Sequence, residues 1–238
     1  MKGLILNSGV GKRMGDLTSR HPKCMTEILE GETILSRQLK LLKKCGIIDI
    51  VITTGPFDKI LIDYCDSLNL SLQYTFVNNP VYDNTNYIYS IFLAREHLND
   101  DIVMMHGDLV FEHEVLEDVL EQQNSNMAVS STIPLPEKDF KAVIKNGLIE
   151  KVGVEYFQDA MAAQPLYKLN KADWRIWLDS IVEFCKRGLV TCYAENAFNE
   201  VSHKCHIYPM DFKDNLCREI DTPQDLIEVK ERLTDLTL

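Results

Sequence analysis

The segment Leu6-Asn-Ser-Gly-Val-Gly-Lys-Arg13 places two glycines and two cations directly after the apolar run Leu4–Leu6. Glycine lacks a Cβ, so Gly9 and Gly11 let the backbone take positive φ and bring its N–H groups against an anion. Lys12 and Arg13 add positive charge at the same place, and the chemistry on offer is the holding of a phosphate chain. The spacing is neither G-x-G-x-x-G nor G-x-x-x-x-G-K-[ST]. By itself the loop therefore reads equally well as a strand-to-helix turn with solvated charges. Lys23, after Pro22, is a third cation close by. Asp108 follows the apolar run Ile102–Met105 through His106-Gly107, where a carboxylate is well placed for a metal. Asp221 lies in Glu219-Ile-Asp-Thr-Pro-Gln-Asp225, just before the last helical pattern. Two carboxylates remote in sequence can share one Mg²⁺ if their loops face one crevice, because Mg²⁺ takes one or two protein carboxylates and completes its shell with phosphate and water. Alone, Asp108 also reads as a turn aspartate and Asp221 as a helix cap.

The elements that must position these groups alternate. Strands are expected at Leu4–Leu6, Asp49–Gly55, Leu72–Val77 and Asp101–Met105. Helical spacing separates them at Ile34–Cys45, Ile60–Leu68 and Thr85–Leu98. This implies an α/β fold with a mostly parallel sheet, whose ligand sits beyond the carboxyl ends of the strands. Later come a strand at Met127–Ile133 and a hairpin of Lys141–Ile144 with Leu148–Val154, turning at Asn146-Gly147. A short strand follows at Ala162–Leu169, then a helix over Asp173–Gly188, in which Trp174 and Trp177 read as core. Asn196–Val201 reads as irregular, and Cys205–Met210, with Pro209, as an edge strand. The final helix starts at Thr222-Pro223, with Asp225 completing a capping box. One domain over 1–238 is expected, with a first half over 1–125 and a second half with the C-terminal helix over 126–238; the family resemblance described below implies that these are the nucleotide-binding and acceptor-binding halves.

A chain of 238 residues with 45% hydrophobic content buries roughly 70–75% of its unfolded surface, enough to need no staple. The net charge of −11 argues against nucleic acid as a partner, which requires a basic footprint. The seven cysteines form no C-x-x-C pair and no signal peptide precedes them, so reduced thiols in the cytoplasm are expected. No apolar stretch reaches the length of a membrane span. A homodimer is compatible with the sequence.

Leu-Asn-Ser-Gly-Val-Gly-Lys-Arg-Met followed by Pro22-Lys23 resembles the nucleotidyltransferase signature of sugar-nucleotide pyrophosphorylases, L-x-x-G-x-G-x-R-[ML] with a downstream P-K. Asn7-Ser8 stands where that family usually has Ala-Ala, and Lys12 where it often has Thr or Ser. The resemblance implies a Rossmann-like, glycosyltransferase-A-like sheet, with Leu6, Asn7, Ser8, Gly9, Val10, Gly11, Lys12 and Arg13 at the nucleotide. It implies Lys23 and Arg13 in catalysis, Lys23 spanning acceptor and α-phosphate. The family's strand-end D and E-I-D-[ST]-x-x-D motif carry a Mg²⁺ role to Asp108 and Asp221, with Gly107 beside the nucleotide and Glu219 and Asp225 structural. Tyr82–Ala94 is similar to the Y-x-x-x-N-x-x-S-[LIM]-x-L run of bacterial choline-phosphate cytidylyltransferases. That likeness places Asn86 and Ser90 at the nucleotide, Ser90 near the base.

Within the family the chain resembles the 2-aminoethylphosphonate and choline-phosphate cytidylyltransferases. The expected partners are therefore CTP and a small zwitterionic phosphonate or phosphate, 2-aminoethylphosphonate first and phosphocholine second. A quaternary ammonium demands aromatic faces, and the S-[FY]-W run of the choline enzymes is replaced by Gln164-Pro-Leu-Tyr-Lys168. A primary ammonium prefers carboxylates and hydroxyls, for which Ser130, Asp139 and Glu200 are candidates. Lys141 is a candidate phosphonate ligand, since Pro136–Ile144 also looks like the phosphonate enzymes. Sugar-1-phosphate nucleotidyl transfer, a metal-dependent glycosyltransferase and a non-catalytic nucleotide sensor are the alternatives.

Overall fold

In the computed structural model, which describes residues 1–236, the chain begins with β1 (Lys2–Leu6), followed by 3-10 segments at Lys12–Thr18, kinked at Gly15, and Lys23–Met25. Next come β2 (Glu27–Leu29), β3 (Glu32–Thr33), α1 (Ile34–Lys44), β4 (Asp49–Thr54), α2 (Asp58–Ser67), β5 (Gln73–Asn78) and α3 (Tyr87–Ala94). The middle of the chain forms β6 (Ile102–His106), β7 (Leu109–Phe111), α4 (His113–Glu121), β8 (Asn126–Ser130), β9 (Lys141–Lys145), β10 (Leu148–Gly153) and β11 (Ala160–Leu169). It ends with α5 (Lys171–Lys186), α6 (Ala194–Val201), β12 (Tyr208–Asp211), β13 (Cys217–Glu219) and α7 (Pro223–Asp235).

β1 is central because its side chains are apolar on both faces, as a parallel strand covered by helices on each side requires. It pairs in parallel with β4 and β6, and β4 with β5. Alternate residues feed opposite layers. Leu4, Val51 and Met104 pack with Ile88, Trp177 and Phe198 of α3, α5 and α6, while Ile5, Ile52 and Met105 pack with Leu39, Leu61 and Leu116 of α1, α2 and α4. The parallel half is extended by β11, antiparallel to β6, β8 and β9.

The hairpin turns where its dipeptide demands: Asn146 and Gly147 have φ of 53° and 77°, the sign a type I′ turn needs at both positions. Among the described residues β12 pairs only with β8, the edge its proline requires. Residues 196–201, expected to be irregular, are instead part of α6. Tyr193 N donates to Asn196 Oδ1 at 2.9 Å, and Ala194, Ala197 and Phe198 face the core at helical spacing. Among the elements without a counterpart in the sequence analysis are α4 and two short strands, β7 and β13. The two strands pair antiparallel, Leu109 opposite Glu219, and Ile220 N donates to Asp108 O at 3.0 Å. That ribbon brings positions 108 and 221 side by side. Among the described residues no helix is long and apolar enough to cross a membrane.

Candidate active site

The register of β1 and β6 places Leu6 beside His106, so the glycine loop and Gly107-Asp108 leave the sheet together. Gly107 N donates to Leu6 O at 3.0 Å. A Cβ at Gly107 would lie 1.6 Å from Asn7 Oδ1, so any side chain there would displace the Asn7 amide from this position. Gly11 takes φ of 67°, while Gly9 is not among the positive-φ glycines. One glycine of the loop, not both, is thus used for its backbone freedom.

Above these strand ends lies a cleft of about 580 Å³, continuous in its lining with a smaller cavity of about 170 Å³. Leu6, Asn7, Gly9, Gly11, Lys12, Arg13, Asn86, Gly107, Asp108 and Asp221 line the larger cleft, as do Lys23 and Asp139. Ser8 and Ser90 line the smaller one. Val10 lines neither. Asn86 caps α3, its Oδ1 accepting from Tyr87 N at 2.7 Å, and Ser90 Oγ accepts from Asn79 Nδ2 at 3.0 Å. Asn7 Nδ2 and Ser8 Oγ are buried with no hydrogen-bond partner. Buried polar groups are normally satisfied, so these two suit a ligand at the mouth of the loop.

Lys23 Nζ contacts Asp108 and lies 2.8 Å from Asp221 Oδ1, which also receives Arg13 at 2.9 Å. The two aspartates therefore meet on one cation. Burial alone would lower the Lys23 pKa, but the adjacent Asp108 and Asp221 carboxylates raise it. Burial likewise pushes Asp108 up, and Lys23 with His106 brings it below the ordinary carboxylate range. Asp225 is structural: its Oδ2 accepts from Thr222 N at 2.7 Å and Asp221 N at 3.1 Å, fixing the turn that presents Asp221. Glu219 is not merely structural, because it lines the cleft and accepts from His106 Nδ1 at 2.8 Å.

This donor set fits Mg²⁺. Asp108 and Asp221 supply hard carboxylate oxygens around a position that already holds an ammonium group, and a nucleotide would supply the remaining anionic ligands. His106, Asp108 and Glu219 also lie within ligand distance of one another. Burial lowers the imidazole's pKa, but the hydrogen bond and charge of Glu219 outweigh it and raise His106 to about 9. A protonated imidazole has no lone pair to give, so the aspartate pair is the better magnesium site. Burial and the Asp108 charge push Glu219 up to about 7 against the pull of His106. From about pH 7 to 9 the two are an ion pair. The stability of this pair is thus lost at both ends, as Glu219 takes a proton when pH falls below about 7 and as His106 gives one up when pH rises through about 9. In EDTA, an NMR titration should find the His106 imidazole still charged at pH 7.5; an imidazole that loses its proton near its ordinary value of 6.5 would contradict this.

Three acceptor candidates line neither cavity. Ser130 ends β8, and its Oγ donates to Lys213 O at 2.5 Å. Lys141 is buried, donates to Pro136 O at 2.6 Å and lies 4.1 Å from the Phe157 ring centroid, so it ties down the 131–140 loop instead of meeting a ligand. Glu200 is on the exposed face of α6, 3.9 Å from Arg187. Asp139 does reach the cleft, where burial and the charges of Asp221 and Asp225 push its pKa up.

No sequence motif singles out the rings of the cleft. Tyr87, His106, Phe140 and Tyr193 line the same cleft. Tyr87 and His106 are 4.6 Å apart centroid to centroid, Phe140 and Tyr193 5.2 Å, and Tyr87 and Tyr193 6.0 Å. Tyr87 stood inside the motif that pointed to Asn86; Phe140 and Tyr193 carried no signal beyond being aromatic. The expected core pair, Trp174 and Trp177, is buried in α5, with indole N–H groups donating to Leu98 O and Ala194 O.

The family model for the MobA-like NTP transferase domain matches residues 3–162. The chain belongs to this family. It is similar to the CMP-5'-(3-aminopropyl)phosphonate synthase of Streptomyces rubellomurinus, 31% identical over 135 residues that cover 57% of this chain and 21% of that protein. It is similar to the CTP:phosphoglutamine cytidylyltransferase of Campylobacter jejuni, 28% identical over 117 residues that cover 47% of this chain and 45% of the relative. The chain thus spans about a fifth and just under half of these two relatives. The choline-phosphate cytidylyltransferase of Streptococcus pneumoniae is 22% identical over 98% of each chain. Among solved structures, the CTP:phosphocholine cytidylyltransferase of that organism aligns with a TM-score of 0.76 at 19% identity over 98% of both chains. The inositol-1-phosphate CTP transferase of T. maritima aligns at 0.78, with 20% identity over 98% of this chain and 96% of that one. At such identities the superpositions establish the nucleotidyltransferase fold.

Proposed function

We propose that the chain transfers CMP from CTP to a small zwitterion, a phosphonate or phosphate carrying an ammonium group, with 2-aminoethylphosphonate as the first acceptor. The observation that carries this reading is the mixed lining of the cleft. The cations Lys12, Arg13 and Lys23 share it with the rings of Tyr87, Phe140 and Tyr193 and the carboxylates of Asp139 and Glu219. Cations suit the phosphoryl groups, and aromatic faces with carboxylates suit an ammonium. Two relatives named as cytidylyltransferases and a third named as a CMP-5'-(3-aminopropyl)phosphonate synthase support the base and the acceptor class.

In this reaction an anionic phosphonate oxygen attacks the α-phosphorus, the α–β P–O bond breaks, and pyrophosphate leaves. The acceptor is already deprotonated near neutral pH, so no general base is needed; catalysis is alignment and charge neutralisation. Lys23 spans the acceptor and the α-phosphate. Gly9–Arg13 holds the departing pyrophosphate, with Asn7 and Ser8 donating to the nucleotide. Asn86 and Ser90 line the base side. Asp108 and Asp221 would hold Mg²⁺, which when bound neutralises the charge shared by acceptor and α-phosphate.

Phosphocholine is the second reading. The rings of Tyr87, Phe140 and Tyr193 favour it, because a quaternary ammonium binds through aromatic faces alone. Pyrophosphate release tests both: CTP, UTP, ATP and GTP are each combined with 2-aminoethylphosphonate, phosphocholine and sugar 1-phosphates. Release is expected with CTP and an ammonium-bearing acceptor; release only with a sugar 1-phosphate would overturn the assignment.

A further inference from the structure

Glu195 lies in the first turn of α6 and is 1% exposed. Its carboxylate accepts from the hydroxyls of Tyr87 and, at 2.9 Å, Tyr167. Among the described residues no lysine, arginine or histidine pairs with it. A buried carboxylate held only by two phenols is costly unless a positive charge sits near it. The Tyr87 ring links it to the cleft, because that ring lines the cleft while its hydroxyl turns back to Glu195. The field of Glu195 reaches the cleft wall, where it is one of the charges that hold the His106 proton.

Given the ammonium-bearing acceptor of the proposed function, we propose that Glu195 is a positioning residue that sets selectivity for the acceptor's cationic end, acting through Tyr87. The hydrogen bond fixes the ring as a wall of the cleft. A phenol that donates to a carboxylate also carries more electron density on its face, and so attracts a cation more strongly. Glu195 then serves as the remote counter-charge of a group it never touches. Tyr167 shares the same carboxylate from the core side, where its ring packs 5.4 Å from Trp177, and this keeps the anion from turning towards the ligand.

The test compares an acceptor with its uncharged isostere: 2-aminoethylphosphonate with propylphosphonate, or phosphocholine with 3,3-dimethylbutyl phosphate. KM is measured for wild type, Glu195→Gln, Tyr87→Phe and the double variant. Each single variant should raise KM for the cationic acceptor roughly three- to tenfold. For Glu195→Gln, KM for the neutral isostere and for CTP should stay within about twofold; Tyr87→Phe should raise the ratio of cationic to neutral KM; and the double variant should be no worse than the worse single one. A structural role for Glu195 would instead raise KM for cationic and neutral acceptors alike, or for CTP, and that result overturns the inference, as do unchanged KM values. Tyr87→Phe removes one hydroxyl and keeps the ring, so it answers even if Glu195→Gln folds poorly. A wild-type enzyme that takes both acceptors equally sinks the zwitterion reading and this inference together; a selective wild type whose variants stay selective sinks Glu195 alone.

Discussion

Lys23→Ala should lower kcat by about a hundred- to a thousandfold, the loss expected when one preorganised charge is removed from a developing oxyanion. Lys23 is placed for this by the turn at Pro22, and its ammonium touches both Asp108 and Asp221 with only 13% of its side chain exposed. The same substitution leaves two carboxylates facing each other without their shared cation. Breaking a buried ion pair by removing one partner costs about 3–5 kcal/mol, so the metal-free variant should melt earlier than wild type. Added Mg²⁺ should recover much of that loss, because it supplies the missing charge at the same position, while kcat stays low. Circular dichroism establishes the fold and pyrophosphate release gives kcat. Near-normal turnover would remove Lys23 from the mechanism.

Asp221→Asn should abolish the rise in melting temperature that Mg²⁺ gives the wild type, and should lower kcat about a thousandfold, the size of a lost metal-centred charge stabilisation. Asp221 has no other structural duty of comparable weight. The cap of α7 is made by Thr222 and Asp225, so the helix should survive the substitution. Asparagine keeps the side chain's volume and one oxygen but loses the charge that Lys23 and Arg13 both meet. A variant that still responds to Mg²⁺ as wild type does would move the metal away from Asp221.

How much of this was legible in the sequence differs from element to element. β1 and its loop were readable because an apolar run that stops at Asn-Ser-Gly has few other structural meanings, and Asp108 was readable from its place at a strand's end. The convergence of Asp108 with Asp221 was a condition in the sequence, not a deduction. It depends on β7 and β13, three residues each, too short for any periodicity to show. The rings of the cleft were invisible for a different reason: Tyr87, Phe140 and Tyr193 come from α3, the loop before β9 and the residue before α6, so no local spacing links them. Lys141 shows the opposite failure. Its charge suggested a ligand for a phosphonate, but residue type does not say which way a strand's side chain points. Here it points to the carbonyls of Pro136 and Glu137, where it restrains the loop carrying Asp139 and Phe140.

The most direct measurement is a ³¹P NMR spectrum of the reaction of CTP with 2-aminoethylphosphonate and Mg²⁺. Attack on the α-phosphorus should give a mutually coupled pair of resonances, one phosphonate and one phosphate, joined through a new P–O–P bridge, with an equal amount of pyrophosphate. Phosphocholine in place of the phosphonate should give a coupled pair of two phosphates if it is the acceptor. A spectrum showing only CTP with unchanged acceptors, or a coupled pair with a sugar 1-phosphate alone, would contradict the assignment of this cleft to a zwitterionic acceptor.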